Sequence, residues 1–232
     1  MRLIATGLVV CLCAVAFVES VSAEESNWNQ FRGAHGDGTT TAKGLPTTFG
    51  EGSPEIVWKT PITGRAWSSP IVWGKQIWVT NAPEIQNTTK EKPKLDTPIS
   101  LSAVCVDLDT GKIDWTYRDR NFPYFSSPAV AADRIVVGCR DKRVHCIQRL
   151  TGKPLWTFRA RGKVDSSPVV CDGKVIVGSE DGRLYLIGLS DGRQIASYLV
   201  GGPLVTTPAV SDGYAIVGSK DGFVYAYRGV KG

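Results

Sequence analysis

The stretch Ser166-Ser167-Pro168-Val169-Val170-Cys171-Asp172-Gly173-Lys174-Val175-Ile176-Val177-Gly178-Ser179-Glu180-Asp181-Gly182-Arg183-Leu184-Tyr185-Leu186-Ile187-Gly188-Leu189 decides the fold. A short apolar strand from Pro168 turns at Asp172-Gly173 into a second strand, Lys174 to Ser179, and Asp181-Gly182 turns the chain again into a third, Arg183 to Leu189. Asp191-Gly192 then leads to a fourth strand from Gln194 to Val200. The unit is a four-stranded antiparallel meander. Its second strand carries an unbroken apolar run, Val175-Ile176-Val177, matched by Ile135-Val136-Val137 and Ala215-Ile216-Val217. Unbroken runs in place of alternation mean a sheet covered on both faces, so the sheets must stack.

Outward from this unit, Ser68-Ser69-Pro70, Ser126-Ser127-Pro128, Ser166-Ser167-Pro168 and Thr206-Thr207-Pro208 recur at spacings of 58, 40 and 40 residues. The 18-residue surplus of the first interval falls in a polar, Lys- and Pro-bearing loop insertion, 81–98. Four strands in a period of about 40 residues predict an all-β chain folded as a β-propeller of four-stranded antiparallel blades. Blades are expected at about 67–120, 125–161, 165–200 and 205–228. The last unit stops after three strands at Tyr225-Ala226-Tyr227, and a lone strand, 55–62, precedes the first. The count gives sixteen strands, so four blades per chain are expected, with the N-terminal strand completing the last blade and removing an exposed edge.

Composition agrees with many short strands: of 232 residues, 42% are hydrophobic, 25 are Gly, 13 Pro and seven Trp, which excludes collagen, coiled coil and disorder. A net charge of +5 with no Lys/Arg run leaves no nucleic-acid footprint. Arg2, an apolar run of 11 residues from Leu8 to Val18, and Val21-Ser22-Ala23 read as a signal peptide over 1–23, closed by Glu19 well short of a transmembrane span. A lead-in, 24–54, precedes the propeller at 55–230, and the expected location is periplasmic or secreted. Such a compartment permits disulfides. A two-residue turn at Asp181-Gly182 implies that the matching hairpin sets Cys139 opposite Val144, diagonal to Cys146, so buried thiols are expected instead.

Asp107-Leu108-Asp109-Thr110-Gly111-Lys112-Ile113-Asp114-Trp115 and Leu150-Thr151-Gly152-Lys153-Pro154-Leu155-Trp156 resemble the signature of the pyrroloquinoline-quinone (PQQ)-like β-propeller repeat family. The resemblance covers about 55–228, and Trp28 to Gly38 is similar to the lead-in of exported bacterial members. It implies that Thr110-Gly111 and Thr151-Gly152 turn the third strand into the fourth and that Trp115 and Trp156, with Trp58, dock blade on blade. The third unit departs from it, with Asp191-Gly192 in the turn and Ala196 in the Trp slot. Family rings usually hold seven or eight blades, so two closures are open: a small ring of one chain, or a homodimer forming an eight-bladed ring.

Quinoprotein dehydrogenases of this family hold PQQ with calcium, a catalytic Asp and typically two adjacent cysteines. No adjacent pair exists here, so neither cofactor nor catalytic residues are expected. Phosphate-loop and nucleophile-elbow motifs are absent as well. Two histidines, His35 and His145, and no Cys-x-x-Cys spacing argue against a metal site, and Asp107 to Asp109 reads as a turn. The residues before each Ser-Ser-Pro differ from blade to blade and should ring one channel mouth. Trp67 and Phe125 offer stacking faces there, with Arg65, Lys163 and Asp165 as polar anchors, unless the aromatics plug the channel. The function expected is that of a non-catalytic scaffold binding an envelope or secreted protein partner, similar to outer-membrane assembly propellers. The alternative is a PQQ-like or small-ligand binding module at the mouth.

Overall fold

The computed structural model describes residues 27–36, 38–47, 53–62, 65–66, 68–82, 102–119 and 124–228, with backbone only at Arg65, Ala66 and Ala82. The expected signal peptide lies outside them, as do Trp67 and most of the expected insertion. The described residues form sixteen strands in four antiparallel sheets and no helix long and apolar enough to cross a membrane.

Blade 1 pairs β1 (Arg65–Ala66) and β2 (Ile71–Trp73) along one edge of β3 (Gln76–Ala82), followed by β4 (Ser102–Asp107) and β5 (Ile113–Tyr117). Strand β3 includes Asn81 and Ala82, the first two residues of the insertion expected at 81–98. Blade 2 orders β6 (Ala129–Ala131), β7 (Arg134–Cys139), β8 (Arg143–Gln148) and β9 (Pro154–Arg159); blade 3 repeats this with β10 (Val169–Cys171), β11 (Lys174–Gly178), β12 (Arg183–Gly188) and β13 (Gln194–Leu199). Blade 4 comprises β14 (Ala209–Ser211), β15 (Tyr214–Gly218) and β16 (Val224–Arg228).

The apolar runs do what sheets covered on both faces require. Ile135 and Val137 enter a core shared with Ile71 and Trp78 of blade 1, while Val136 between them enters a core with Val175 and Val177 of blade 3. Ile176 in turn joins Leu204 and Val217 between blades 3 and 4. Period-two alternation thus sends successive residues into successive inter-blade cores.

The Ser-Ser-Pro repeats explain themselves in hydrogen bonds. Ser126 Oγ accepts from Gly138 N at 2.8 Å and donates to Gly138 O at 2.9 Å, fastening the inner strand to its neighbour. The second serine reaches across blades: Ser69 N donates to Ser127 Oγ at 3.1 Å and Ser127 N to Ser167 Oγ at 2.9 Å. In blade 3 the first serine does both: Ser166 Oγ accepts from Gly178 N at 3.1 Å within the blade and donates to Thr206 O of blade 4 at 2.8 Å.

The Trp residues make the same dock at three junctions. Trp115 Nε1 donates to Arg149 O at 3.0 Å, Trp156 Nε1 to Leu189 O at 2.9 Å and Trp58 Nε1 to Leu108 O at 2.8 Å. Each indole lies on a turn glycine of positive φ; a Cβ at Gly111, Gly152 or Gly192 would come within 2.6, 2.8 or 2.7 Å of it. At the Gly111 turn, Thr60 Oγ1 also donates to Gly111 O, and Thr110 N and Oγ1 donate to Asp107 Oδ1 at 2.8 and 2.7 Å.

Two expectations are corrected. Residues 55–62 form no strand and do not complete the last blade; Trp58 docks them on blade 1, and blade 4 remains three-stranded, its β16 edge unpaired by any described strand. The strand count was compatible with closure, but closure also needs the step angle at each junction to sum to a full turn, and strand counting carries no angle. Second, Ser179 N donates to Arg183 O at 3.0 Å and Gly182 N to Ser179 O at 3.1 Å, so the second turn has a three-residue loop ending in left-handed Gly182. Cys139 therefore opposes Arg143, not Val144. Cys105, Cys139, Cys146 and Cys171 form no disulfide.

Candidate functional site

Phe125 and Asp165, placed at one mouth by the sequence, do meet, but through a third residue that the sequence reading missed. Arg140, just after β7, lays its guanidinium 3.9 Å from the Phe125 ring centroid and grips Asp165 with Nε at 2.8 Å and Nη2 at 2.6 Å. The Asp165 side chain is only 12% exposed, and its hydrogen bonds hold Arg140 further into the charged state. Lys163 pairs instead with Glu180 at 3.7 Å, and Glu180 N donates to Lys163 O at 2.9 Å. Arg65 is in β1 opposite Ala82, its side chain outside the described residues, as is all of Trp67. A signal for Arg140 existed: Arg140, Glu180 and Lys220 stand 40 residues apart at one repeat position, charged in blades 2, 3 and 4, where blade 1 has Ala82. The mouth is thus internally neutralised in blades 2 and 3.

The lead-in runs along the inner strands. Trp28 N donates to Val72 O at 2.9 Å, Val72 N to Trp28 O at 2.8 Å, and Val130 N to Asn29 O at 2.7 Å, bridging blades 1 and 2. Its continuation, with β10 and β14, encloses a cavity of about 780 Å³ lined by Gln30, Arg32, exposed His35 and Thr206 among others. No described lining residue is a carboxylate, and calcium requires oxygen ligands with negative charge among them. The described residues that line this cavity therefore offer no charged oxygen ligand for a PQQ–calcium centre.

Blades 3 and 4 meet differently from the others. Ala196 pairs with Leu186 as Trp156 pairs with Cys146, so it occupies the Trp slot. A mainly apolar cleft of about 380 Å³ opens there, lined by Tyr185, Tyr198, Tyr214 and Tyr227. Tyr198 stacks on Tyr227 at 5.0 Å in place of the indole dock. Leu199 at the end of β13, and Phe223 and Val224 where β16 begins, are 66%, 65% and 74% exposed, and no described strand pairs with the outer edge of β16.

One group of potential metal ligands also comes together among the described residues, Cys139, Asp141 and His145, in blade 2. No zinc-type spacing along the chain announces it.

No curated protein matches the chain. Among solved structures, the computationally designed Ika4 protein aligns with a TM-score of 0.61 at 14% identity, covering 76% of this chain and 98% of that one. BamB from Moraxella catarrhalis aligns at 0.58 and 20% identity over 74% of this chain and 48% of that one, and the designed Ika8 protein at 0.56 and 15% over 70% and 45%. The chain therefore spans about half the length of the BamB and Ika8 chains it matches. At these identities the likeness concerns the fold. The family model described as outer membrane protein assembly factor BamB matches residues 102–232, more than half of the chain. With its repeated antiparallel sheets, Thr-Gly turns and Trp docks, the chain belongs to this PQQ-like β-propeller family.

Proposed function

We propose that the protein is an exported, non-catalytic propeller scaffold that binds an envelope protein through the open rim of blade 4, in the manner of an outer-membrane assembly factor. The observation that carries the reading is that rim: β16, one edge of which no described strand pairs, begins at exposed Val224 just after exposed Phe223, and blade 3 adds exposed Leu199 at the end of β13. An unpaired edge beside apolar side chains accepts an added strand from a partner, the backbone supplying affinity and the side chains selectivity. The family description, an assembly factor of the outer membrane, and the expected signal peptide support the location and the class of partner. The Arg140–Asp165 pair and the absence of a carboxylate among the described residues lining the cavity of about 780 Å³ support a function without PQQ.

A photoreactive side chain at Val224, introduced into the chain in cells, tests this. A discrete crosslinked envelope protein is expected, lost when Phe223→Lys and Leu199→Lys are added. A crosslink to nothing but a second copy, or one indifferent to both substitutions, overturns the partner reading. Titration with PQQ and Ca²⁺ should leave tryptophan fluorescence unchanged; a saturable quench would reopen cofactor binding.

A further inference from the structure

Three blades build the turn after the second strand on one plan, centred on an aspartate. Arg143 N donates to Asp141 Oδ1, Arg183 N to Asp181 Oδ1 and Phe223 N to Asp221 Oδ1, at 2.9, 2.9 and 3.0 Å. Two residues before that aspartate, blades 3 and 4 carry serine, whose Oγ accepts from Asp181 N or Asp221 N at 3.4 Å. Four residues after it they carry tyrosine, and Tyr185 and Tyr225 donate their hydroxyls to the aspartate at 2.7 and 2.8 Å. Blade 2 departs from the plan at both positions. Cys139 Sγ accepts from Asp141 N at 3.5 Å, and His145 Nε2 lies 3.1 Å from Asp141 Oδ2. Two hydroxyls that bind metals poorly are replaced by a thiol and an imidazole, both aimed at one carboxylate.

We propose that Cys139, Asp141 and His145 form a binding site for a borderline-soft divalent cation, with Zn²⁺ as its natural representative. The three ligand atoms lie within 4.8 Å of one another. Tetrahedral zinc with Zn–S near 2.3 Å and Zn–N near 2.0 Å places its ligands about 3.5 Å apart, so side-chain adjustment of about 1 Å closes the site. Cys139 is 2% exposed, His145 is fully buried and the Asp141 side chain is 2% exposed. A buried dication needs compensating charge, and one thiolate with one carboxylate makes the centre neutral. Three protein ligands leave a fourth position for water.

The surroundings supply what a metal-bound histidine requires on its far side. His145 Nδ1 lies 3.2 Å from the Tyr117 hydroxyl and 3.7 Å from Asp119 Oδ2. Without metal, Nε2 faces the Asp141 carboxylate and Nδ1 the Tyr117 hydroxyl. With metal, the imidazole carries its one proton on Nδ1, donates toward Tyr117 and Asp119, and offers the Nε2 lone pair to the ion. The thiol proton goes to solvent, so binding releases one proton and tightens as pH rises. Arg143, 3.4 Å from Asp141 Oδ2, adds a positive charge that the Asp119 carboxylate balances.

Co²⁺ added to the full chain provides the test, because a Co²⁺–thiolate bond has a near-ultraviolet charge-transfer band. One equivalent should saturate it, and Zn²⁺ should displace it. Cys139→Ser and His145→Tyr install the residues that blades 3 and 4 carry at these positions, so both variants should fold, as circular dichroism would verify. Each should lose binding by more than the roughly 10–100-fold that removing an outer partner costs, whereas Cys171→Ser, at an exposed thiol, should change nothing. A wild type without a saturable band, a band that survives Cys139→Ser or His145→Tyr, or one abolished by Cys171→Ser would each overturn the site.

Discussion

Gly152 has φ of +69° and the Trp115 indole against its Cα, whereas Gly173 has φ of +64° and open space where a Cβ would point. Alanine in the left-handed region costs about 1–2 kcal/mol at either place. Only Gly152→Ala also lifts an indole off its turn, so its denaturant midpoint should fall clearly further than that of Gly173→Ala, with a shift in tryptophan emission. Equal losses would mean that the dock contributes nothing. The cysteines give a second prediction at this scale. Burial, then the charge of Asp114, pushes the Cys105 thiol up to about 12, and burial pushes Cys146 to about 12. At pH 8 a thiol reagent should therefore modify exposed Cys171 in the native protein and reach Cys105 and Cys146 only after unfolding. Because the native value lies above the ordinary 9.0, these thiols contribute stability that is complete below pH 9 and lost as pH rises toward 12. A urea midpoint constant across that range would contradict this.

At the scale of the element, the first hairpin turn of each blade opens on a left-handed residue. Blade 1 uses Gly74 there, and blades 3 and 4 use Asp172 and Asp212, a residue type that tolerates that region, whereas blade 2 puts Ala132 at φ of +51°. Ala132→Gly should raise stability by about 1 kcal/mol, read as a higher denaturant midpoint, since the strain of a Cβ is removed. Ala132→Val should lower it. This element also shows the reach of sequence reading. Strand order and the two-faced runs of β7 and β11 were legible because apolar periodicity and Asp-Gly pairs report local backbone geometry. The two Asp-Gly pairs of one unit nevertheless make different turns, and only the longer loop at Glu180 to Gly182 shifts Cys139 from Val144 to Arg143. Likewise Phe125 and Asp165 were legible as neighbours from their place in the repeat. Arg140, which joins them, comes from a different strand end, and a pattern along the chain does not say which side chain will fill the space between two blades.

Across the whole molecule, docks and cores connect each blade only to its neighbours, so stability should be graded along the chain. Blade 2 has a core on both sides: β7 is buried at every residue except Arg134, and its neighbours contribute Ile71, Trp78, Val175 and Val177. Blade 4 has a described core on one side, and β14 and β16 are exposed or half-buried throughout. Local opening costs least where least apolar surface is covered, and amide exchange reports that cost strand by strand. Amides of β7 and β8 should exchange slowest, those of β15 and β16 fastest, and a protein partner seated on the rim should slow β16 selectively. If β15 and β16 are instead as protected as β7 in the isolated chain, their open face must be covered. Trp58→Ala then tells by what, since it releases residues 55–62 from blade 1: protection lost with that substitution would mean that this segment also serves the last blade, within one chain or between two. Light scattering on the same sample separates those two arrangements, because only the second doubles the mass.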